Sequence, residues 1–286
     1  MILFISKVPD FLWCRFKTNT IQLEQFVEFK GMLGNYKIIE TEDGTTTVHS
    51  EFFDENCHST AGAYQETIYN YIEGCEISNF IENEEITNIL EIGFGVAIGP
   101  ECLMDRFDGK TDKIINFIST EIDFDFALWA TQNSSFAKKY GARFENFNAS
   151  NECISFKIDN FNFKILIGDA RKTLPLYDDL QFHCIFQDAF SPKKNPLLWT
   201  IEWFQELKKH SKPNVILSSY SSHMSIRAAL YGAGFLVESR KGFGIKRTCT
   251  RALLQEYKKL SPVMEEIKRA AHTALTDSNY QDFLKN

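Results

Sequence analysis

The sequence lacks the features of membrane, secreted and disulfide-stabilised proteins. No apolar run approaches the ~20 residues that a membrane-spanning helix needs, so we expect no membrane partner. Charged residues interrupt the short apolar start of the chain, and no small-residue cleavage site follows, so we expect no signal peptide. The seven cysteines are scattered and form no Cys-x-x-Cys pair, which disfavours disulfides and a zinc site. These absences favour a reduced, cytoplasmic compartment and a protein without a metal.

The Gly-x-x-x-x-Gly-Lys-Ser/Thr pattern of P-loop proteins is also absent. The main glycine-rich stretch is instead Asn88-Ile-Leu-Glu-Ile-Gly-Phe-Gly-Val-Ala-Ile-Gly-Pro100. Here an apolar run ends in an acid and a glycine turn, and a proline follows that can open a helix. This order is typical of a strand, a ligand-binding turn and a helix in a parallel α/β sheet. A dinucleotide-binding turn stays possible, although the spacing departs from Gly-x-Gly-x-x-Gly.

Negative charge dominates the chain as a whole, but positive charge dominates its last third. The formal net charge of -7 weakly disfavours a nucleic-acid partner. Residues 1–189 hold 15 Lys and Arg against 30 Asp and Glu, whereas residues 190–286 hold 16 against 8. The second segment therefore permits a phosphate-binding face, and solvated lysine-rich helices explain the same charge equally well.

Apolar strands alternate with helices between residues 86 and 254, which predicts a parallel, doubly wound sheet. The predicted strands are 88–92, 113–120, 161–167, 182–186, 214–219, 235–239 and 245–254, and the predicted helices include 100–107, a helix ending at 137, 198–210 and 223–231. The last two strands pair as an antiparallel hairpin, which is the edge pattern of class I methyltransferases. We therefore expect an α/β, Rossmann-like fold with a mostly parallel seven-stranded sheet.

The residues before this core predict a small extension. Asp43-Gly44 between β-branched residues predicts a hairpin turn. A helix capped by Ser59 or Thr60 is predicted to follow as far as residue 73, and another helix is predicted over 21–30. The expected organisation is an amino-terminal extension (1–37), a hairpin-and-helix segment (38–85), the methyltransferase core (86–254) and a carboxyl-terminal helical tail (255–286).

Three acids follow three of the predicted parallel strands. In an open α/β sheet, ligands bind at the carboxyl ends of the strands. At these positions Glu121 can accept bonds from ribose hydroxyls, Asp169 can face an adenine amino group, and Asp188 can meet a substrate. Each acid alone is more often a solvated loop residue or a helix cap, but together they favour a nucleoside cofactor.

The stretch Asp188-Ala-Phe-Ser-Pro-Lys-Lys-Asn-Pro-Leu-Leu-Trp199 resembles the methyltransferase family that completes 5-methylaminomethyl-(2-thio)uridine at the wobble position of tRNA. Four further motifs extend the resemblance over residues 38–254. They are His58-Ser-Thr-Ala-Gly-Ala-Tyr-Gln-Glu66, the glycine turn, Ser219-Tyr-Ser221 with Ile226-Arg-Ala-Ala-Leu230, and Lys241-Gly-Phe-Gly-Ile-Lys-Arg247.

This resemblance implies S-adenosyl-L-methionine as the cofactor, no FAD, and the anticodon region of tRNA as the partner. Asp188 is the implied catalytic residue, orienting the acceptor amine or taking its proton. The implied cofactor residues are Glu91, Gly93, Gly95, Glu121, Asp169 and Ala170, with His58, Tyr64 and Glu66 closing over the cofactor and Tyr64 beside the adenine.

The implied substrate residues fall into three groups. The base would be walled by Phe190, Pro192 and Trp199, next to Asn195, although Trp199 fits plain packing equally well. The acceptor side would be bordered by Tyr220 and Arg227, although Arg227 also fits a helix surface. Contacts to tRNA phosphates would come from Lys193, Lys194, Arg240, Lys241, Lys246 and Arg247.

One departure from the family concerns Ala97, where the family has glycine. Two outcomes stay open: its methyl group crowds the amino-acid end of the cofactor, or a tilted turn absorbs it. Two other functions stay open. One is an aminopropyltransferase of the spermidine synthase type, and the other is a non-catalytic tRNA-binding protein with a degenerate cofactor turn. The chain lacks the Gly-Gly-Gly-Asp-Gly turn of the first, and Ala97 alone favours the second.

Overall fold

The amino-terminal part of the structure is a small antiparallel sheet. The computed structural model describes residues 28–244, 246–255 and 263–285. The four strands of this small sheet are β1 (Glu28–Lys30), β2 (Asn35–Glu40), β3 (Thr46–Ser50) and β4 (Glu55–Asn56). The hairpin predicted at Asp43-Gly44 is confirmed, because β2 and β3 pair on either side of it. The helix predicted over 21–30 is wrong at residues 28–30, which form β1, and its remainder lies outside the described residues.

Three short helical segments connect the small sheet to the core. Helix α1 (Ala63–Thr67) runs directly into a π-helical turn (Ile68–Ile72), and α2 (Ile77–Asn83) follows. The predicted cap is wrong: Gly62 stands at the N-cap position with φ +139°, and no side chain caps α1. The wider π turn brings Tyr71 into the protein interior, where 2% of its surface is exposed.

The core is a nine-stranded sheet in the order β12-β13-β11-β10-β5-β6-β9-β8-β7. Its five parallel strands are β5 (Ile86–Ile92), β6 (Ile114–Glu121), β9 (Phe161–Ile167), β10 (Phe182–Gln187) and β11 (Ser211–Ser219). The antiparallel hairpins at the two edges are β12 (Leu236–Lys241) with β13 (Thr248–Leu253), and β7 (Glu145–Ala149) with β8 (Cys153–Ile158). All seven strands predicted for the core are therefore present, and β7 and β8 bring the sheet from the expected seven strands to nine. Strand β7 is exposed at every position, so it has no apolar alternation for a sequence to show.

Helices cover both faces of this sheet. They are α3 (Ile98–Phe107), α4 (Phe124–Asn133), α5 (Ser135–Tyr140), α6 (Ala170–Thr173), α7 (Ile201–Lys209), α8 (Met224–Gly232), α9 (Val263–Arg269) and α10 (Tyr280–Lys285). The single helix predicted to end at 137 is two helices, because Ser134 ends α4 and caps α5. The helix predicted from residue 198 begins at Ile201, where the Thr200 hydroxyl accepts a bond from the Trp203 amide. Within the described residues, no helix is both long and apolar enough to span a bilayer.

Asp123 holds the small sheet against the core. Its carboxylate caps α4 by accepting the Phe126 amide, and it also accepts the amides of Met32 and Leu33 from the β1–β2 turn. The Tyr36 hydroxyl donates a further bond of 3.0 Å to the same carboxylate. Because Asp123 lies just beyond the end of β6, these bonds fix the small sheet above the carboxyl edge of the core sheet.

Candidate functional site

A cavity of about 270 Å³ opens at the carboxyl ends of β5, β6, β9 and β10. The strand ends contribute the glycine turn, Glu121, Asp169 and Asp188 to its lining. The structure thus brings together the three acids that the sequence pattern predicts to lie at this edge of the sheet. The roof comes from the small sheet and the residues after it. The lining residues that the sequence reasoning missed are Phe53, Cys57, Thr120, Ile122, Phe126, Gly168, Arg171, Ala189, Leu197 and Leu198.

The glycine turn leaves one side of this cavity without side chains. Gly93 and Gly95 have φ values of +100° and +54°, which glycine adopts at little cost. A Cβ at Gly93 would stand 3.0 Å from the backbone oxygen of Asp188, so the turn lies directly against the end of β10. The Gly95 amide donates to Oε2 of Glu121 at 3.2 Å. A bare backbone beside a carboxylate is the type of cradle that a nucleoside with an amino-acid tail requires.

Ala97 does not crowd the cavity. It has φ +63° at the N-cap of α3, and its side chain is fully buried in the core. The left-handed conformation costs an alanine roughly 1–2 kcal/mol. The alanine at position 97, where the family has glycine, therefore adds backbone strain. Of the two outcomes left open for Ala97, the structure therefore favours the one in which the turn accommodates the methyl group.

Glu91 supports the turn from below instead of lining the cavity. It is 3% exposed, and the Ser119 hydroxyl donates to its Oε2 at 2.8 Å. A Cβ at Gly99 would overlap Oε1 of Glu91, so this glycine allows α3 to pack against the carboxyl group. Burial raises the pKa of Glu91 well above its usual value, which favours the neutral form. The structure thus places Glu91 beneath the site, and not in contact with the cavity as the resemblance implied.

Glu121 is one of the three acids that line this cavity. Its carboxylate accepts the amides of Gly95, Ile122 and Asp123. Burial raises the pKa of Glu121 to about 7, although these three amides act in the opposite direction. A small change in its surroundings therefore ionises or neutralises the group near neutral pH.

Much of the remaining lining of this cavity is apolar. Asp169 caps α6 by accepting the Arg171 amide, and its side chain is 42% exposed. Ala170 follows it in the wall, together with Ile122, Phe126, Leu197 and Leu198. An apolar lining with a carboxylate among it suits a purine base with its amino group.

A second cavity of about 380 Å³ adjoins the first. The two share Cys57, His58, Asp188, Ala189 and Phe190, so Asp188 stands where they meet. The second cavity is more polar and contains two further acids, Glu55 and Glu66, and the cation Lys246. We call the first the cofactor cavity and the second the acceptor cavity. The structure thus places Glu66 in the acceptor cavity, and not over the cofactor as expected.

Asp188 follows β10 and is held by a buried tyrosine. The Tyr71 hydroxyl donates to its Oδ1 at 2.5 Å. Burial raises the pKa of Asp188 well above its usual value, the Tyr71 bond and the charge of Lys246 lower it, and the charge of Glu66 raises it. The sequence reasoning missed Tyr71, because nothing in its local pattern indicates a π-helical turn.

The two other residues expected to close over the cofactor differ in position. His58 lines both cavities and exchanges a 3.0 Å hydrogen bond with the Thr47 hydroxyl. Burial lowers the pKa of His58 to about 4, so the ring is neutral. Tyr64 instead points its hydroxyl at Asp105 on α3, 3.1 Å away, and lines neither cavity. A place beside an adenine in the cofactor cavity is therefore wrong for Tyr64.

The loop after Asp188 is clasped by the turn between β3 and β4. The rings of Phe53 and Phe190 stack with centroids 4.3 Å apart. The Ser191 amide donates to Glu55 at 2.8 Å, and Lys194 forms an ion pair of 2.9 Å with Asp54. We call these three contacts the clasp. It closes the roof of the cofactor cavity.

The remaining loop residues have separate positions. Asn195 lines the cofactor cavity, and Lys193 is exposed. Pro192 is buried and lines neither cavity. Trp199 is fully buried, and its Nε1 donates to the Phe190 backbone oxygen at 2.8 Å. Trp199 therefore anchors the loop in the core and does not wall a base.

The acceptor cavity is bordered by the residues after the end of β11 and by the β12–β13 hairpin. Tyr220 and Lys246 line the acceptor cavity, and Arg247 is exposed. Arg240 stacks on the Tyr69 ring, and the Lys241 backbone oxygen accepts the Tyr69 hydroxyl.

Arg227 is not at a surface and borders no cavity. It is 5% exposed, and its guanidinium donates to the hydroxyls of Thr250, Ser239 and Thr248. Both expectations for Arg227, acceptor contact and helix surface, are wrong, because these bonds tie α8 to the edge hairpin.

Comparison with known proteins gives consistent similarities. A family model described as S-adenosyl-L-methionine-dependent methyltransferase matches residues 131–255. An uncharacterized protein of Methanocaldococcus jannaschii is 27% identical over 88% of this chain and 69% of its own length. The tRNA 5-methylaminomethyl-2-thiouridine biosynthesis bifunctional protein MnmC of Pseudomonas savastanoi is 30% identical over 54% of this chain and 25% of its own length.

The structural comparison agrees. The crystal structure of MnmC2 from Aquifex aeolicus superposes with a TM-score of 0.65 and 26% identity, covering 83% of this chain and 75% of that one. The chain spans between 25% and 32% of the MnmC proteins that it matches. The expected class I fold is confirmed, and so is the expected similarity to MnmC.

Proposed function

We propose, from the premise that this chain is an S-adenosyl-L-methionine-dependent methyltransferase related to MnmC, that it methylates the primary amine of a 5-aminomethyl group on uridine 34 of tRNA. The observation that carries the proposal is the position of Asp188, which lines both the cofactor cavity and the acidic acceptor cavity. A group at this junction can meet donor and acceptor together. The product would be 5-methylaminomethyl-(2-thio)uridine.

The cofactor cavity has the groups that would hold S-adenosyl-L-methionine. Glu121 would accept the ribose hydroxyls, Asp169 and the apolar wall would hold the adenine, and Gly93 and Gly95 would leave room for the amino-acid end. Bound there, the cofactor would supply an activated methyl group at a sulfonium. The activity that we propose uses no FAD.

Asp188 would act on the acceptor amine. Such an amine is cationic at neutral pH and must lose a proton before its nitrogen can attack a methyl group. A carboxylate of ordinary pKa is a weak base, but burial raises the pKa of Asp188 and makes it a better proton acceptor. The Tyr71 hydroxyl fixes Oδ1, which leaves Oδ2 to orient the amine and take its proton.

The acceptor cavity and its rim would receive the RNA. A base turned out of the anticodon would enter beside Phe190, Asn195 and Tyr220. The phosphates of the tRNA would be contacted by four residues from the positively charged last third of the protein chain. They are the exposed Lys193 and Arg247, and Arg240 and Lys241 on the hairpin. With tRNA as the substrate, we expect the protein to act in the cytoplasm.

The test measures transfer of a labelled methyl group from S-adenosyl-L-methionine to tRNA. The wobble uridine of this tRNA carries an unmethylated 5-aminomethyl group. Asp188→Asn should lower the rate about 100-fold or more, because general-base catalysis contributes about that much. Asp178→Asn, which changes an exposed acid outside both cavities, is the matched control. A tRNA with plain uridine 34 should accept no label. Full activity in Asp188→Asn would contradict the assigned role.

Two further measurements separate the two other functions. An aminopropyltransferase would label a polyamine from decarboxylated S-adenosylmethionine and leave tRNA unlabelled. A non-catalytic binder would show no heat when titrated with S-adenosyl-L-methionine at high concentration. Either result would overturn the proposal.

A further inference from the structure

The acceptor cavity already contains an alkylammonium group, that of Lys246. Its Nζ lies 2.9 Å from Oε1 of Glu66 and 4.6 Å from the centre of the Tyr220 ring. A carboxylate on one side and an aromatic face on the other are the two groups that proteins combine to bind alkylammonium ions. Lys246 therefore shows what kind of ligand this corner of the cavity accepts.

Glu66 and Tyr220 are held in place by bonds that do not involve Lys246. The Ser59 amide donates to Oε2 of Glu66 at 3.0 Å, which leaves Oε1 for a cation. The Tyr220 hydroxyl donates to the Ala189 backbone oxygen at 2.9 Å, and its ring packs edge-on against Trp199. Glu66 is 6% exposed. The binding corner is thus built into the core and would persist without the lysine.

Lys246, in contrast, reaches the corner from outside. It lies in the β12–β13 hairpin turn, and 41% of its side chain is exposed. An incoming ammonium ion would pair with Glu66 in its place, so Lys246 can leave without stranding a buried charge, and its stem is flexible. Another alkylammonium ion can therefore replace Lys246 at modest cost.

We propose that Glu66 and Tyr220 form an alkylammonium subsite for the acceptor amine, and that Lys246 occupies this subsite until the acceptor displaces it. The inference rests on the proposed amine acceptor and adds where that amine binds. Asp188 lines the same cavity, so an ammonium group in the subsite stands beside the residue that takes its proton. The displaced Lys246 adjoins exposed Arg247, where it can contact an RNA phosphate.

The proposal is tested by binding a small probe, without any methyl transfer. Benzylammonium, a cationic aminomethyl group on an aromatic ring, is titrated into the protein with S-adenosylhomocysteine present. If Lys246 fills the subsite about nine-tenths of the time, Lys246→Ala should bind the probe about tenfold more tightly than the unaltered protein. Lys209→Ala, an exposed lysine that lines neither cavity, is the control and should leave the affinity for the probe unchanged.

Two further arms identify the subsite. Glu66→Gln should weaken benzylammonium binding, and Tyr220→Leu provides a second variant if the buried Glu66 change unfolds the protein. Benzyl alcohol, which lacks the charge, should bind Lys246→Ala and the unaltered protein alike. Equal benzylammonium affinity with and without Lys246, or tighter binding of the alcohol too, would overturn the proposal. Because the readout is binding, a failure of tRNA methylation would be seen separately.

Discussion

The hydroxyl of Tyr71 donates a 2.5 Å hydrogen bond to Oδ1 of Asp188, which lies 117 residues further along the chain. The tyrosine reaches this position because α1 widens into a π-helical turn, and its ring stacks on Phe186 of β10. Turns of this kind are frequent at functional sites, where they redirect a side chain. The bond links the segment before the core to the proposed catalytic acid.

Tyr71→Phe tests this link. The bond from Tyr71 lowers the pKa of Asp188, so its loss should raise that pKa further. Since the proposed base must be ionised, the acidic limb of the kcat/KM profile should move to higher pH. A hydrogen bond to a charged group is worth ~1.5–3 kcal/mol, so kcat/KM at neutral pH should fall about tenfold or more.

Tyr69→Phe is the control for this change. It removes a tyrosine hydrogen bond from the same π-helical turn, but that bond goes to the Lys241 backbone oxygen. Its pH profile should keep the original acidic limb. An unshifted limb in Tyr71→Phe would show that Tyr71 only packs against the core.

Glu121 predicts a pH dependence of nucleoside binding. Ribose hydroxyls donate best to the ionised carboxylate, and the pKa of Glu121 is raised to about 7. Raising the pH from 6 to 8 ionises the group, so affinity should increase by about tenfold and level off above the pKa. The probe is 5′-methylthioadenosine, which keeps adenine and ribose but has no titrating amino-acid end.

The variants for this prediction are Glu121→Gln and Glu91→Gln. The first should bind the probe weakly and with little dependence on pH. The second should keep the dependence, because Glu91 lines neither cavity and does not contact the ribose. A pH dependence that survives in Glu121→Gln would assign the titration to another group.

The glycine turn predicts opposite outcomes at two neighbouring positions. Ala97→Gly should leave the affinity for S-adenosyl-L-methionine unchanged within about twofold, because the lost methyl lies in the core. Relief of ~1–2 kcal/mol of strain and loss of ~0.8 kcal/mol of methyl burial leave stability nearly unchanged as well. Gly93→Ala should weaken cofactor binding and lower the Tm, since its Cβ would press on the Asp188 backbone.

Calorimetric titration and thermal melting of both variants measure these outcomes. A large gain in cofactor affinity for Ala97→Gly would restore the idea of a crowded cavity.

The clasp predicts that the small sheet contributes to cofactor affinity. Phe53 lines the cofactor cavity and stacks on Phe190, and an aromatic pair is worth ~0.5–1.5 kcal/mol beyond its buried area. Phe53→Ala should therefore raise the Kd for S-adenosyl-L-methionine about tenfold. Phe52→Ala is the matched control, since Phe52 is 61% exposed and lines neither cavity. Equal Kd values for the two variants would exclude a role for the clasp.

The sequence by itself determined the core sheet and the acids at its edge. Strands β5, β6, β9 and β10 are short apolar runs between turn residues, and their ends fix where Glu121, Asp169 and Asp188 meet. These features are local, because strand period and turn chemistry follow from neighbouring residues. The resemblance to the MnmC family also rests on contiguous motifs, so it too was readable without a structure.

Only the tertiary structure decided which side chains face the cavities. Glu91, Tyr64, Trp199 and Arg227 belong to the motifs, yet each points into packing or to a partner elsewhere. Conversely, Tyr71 and Phe53 reach the site from distant segments through a π-helical turn and a clasped loop. The direction of a side chain and its long-range partner depend on how elements pack, and sequence neighbours do not encode that.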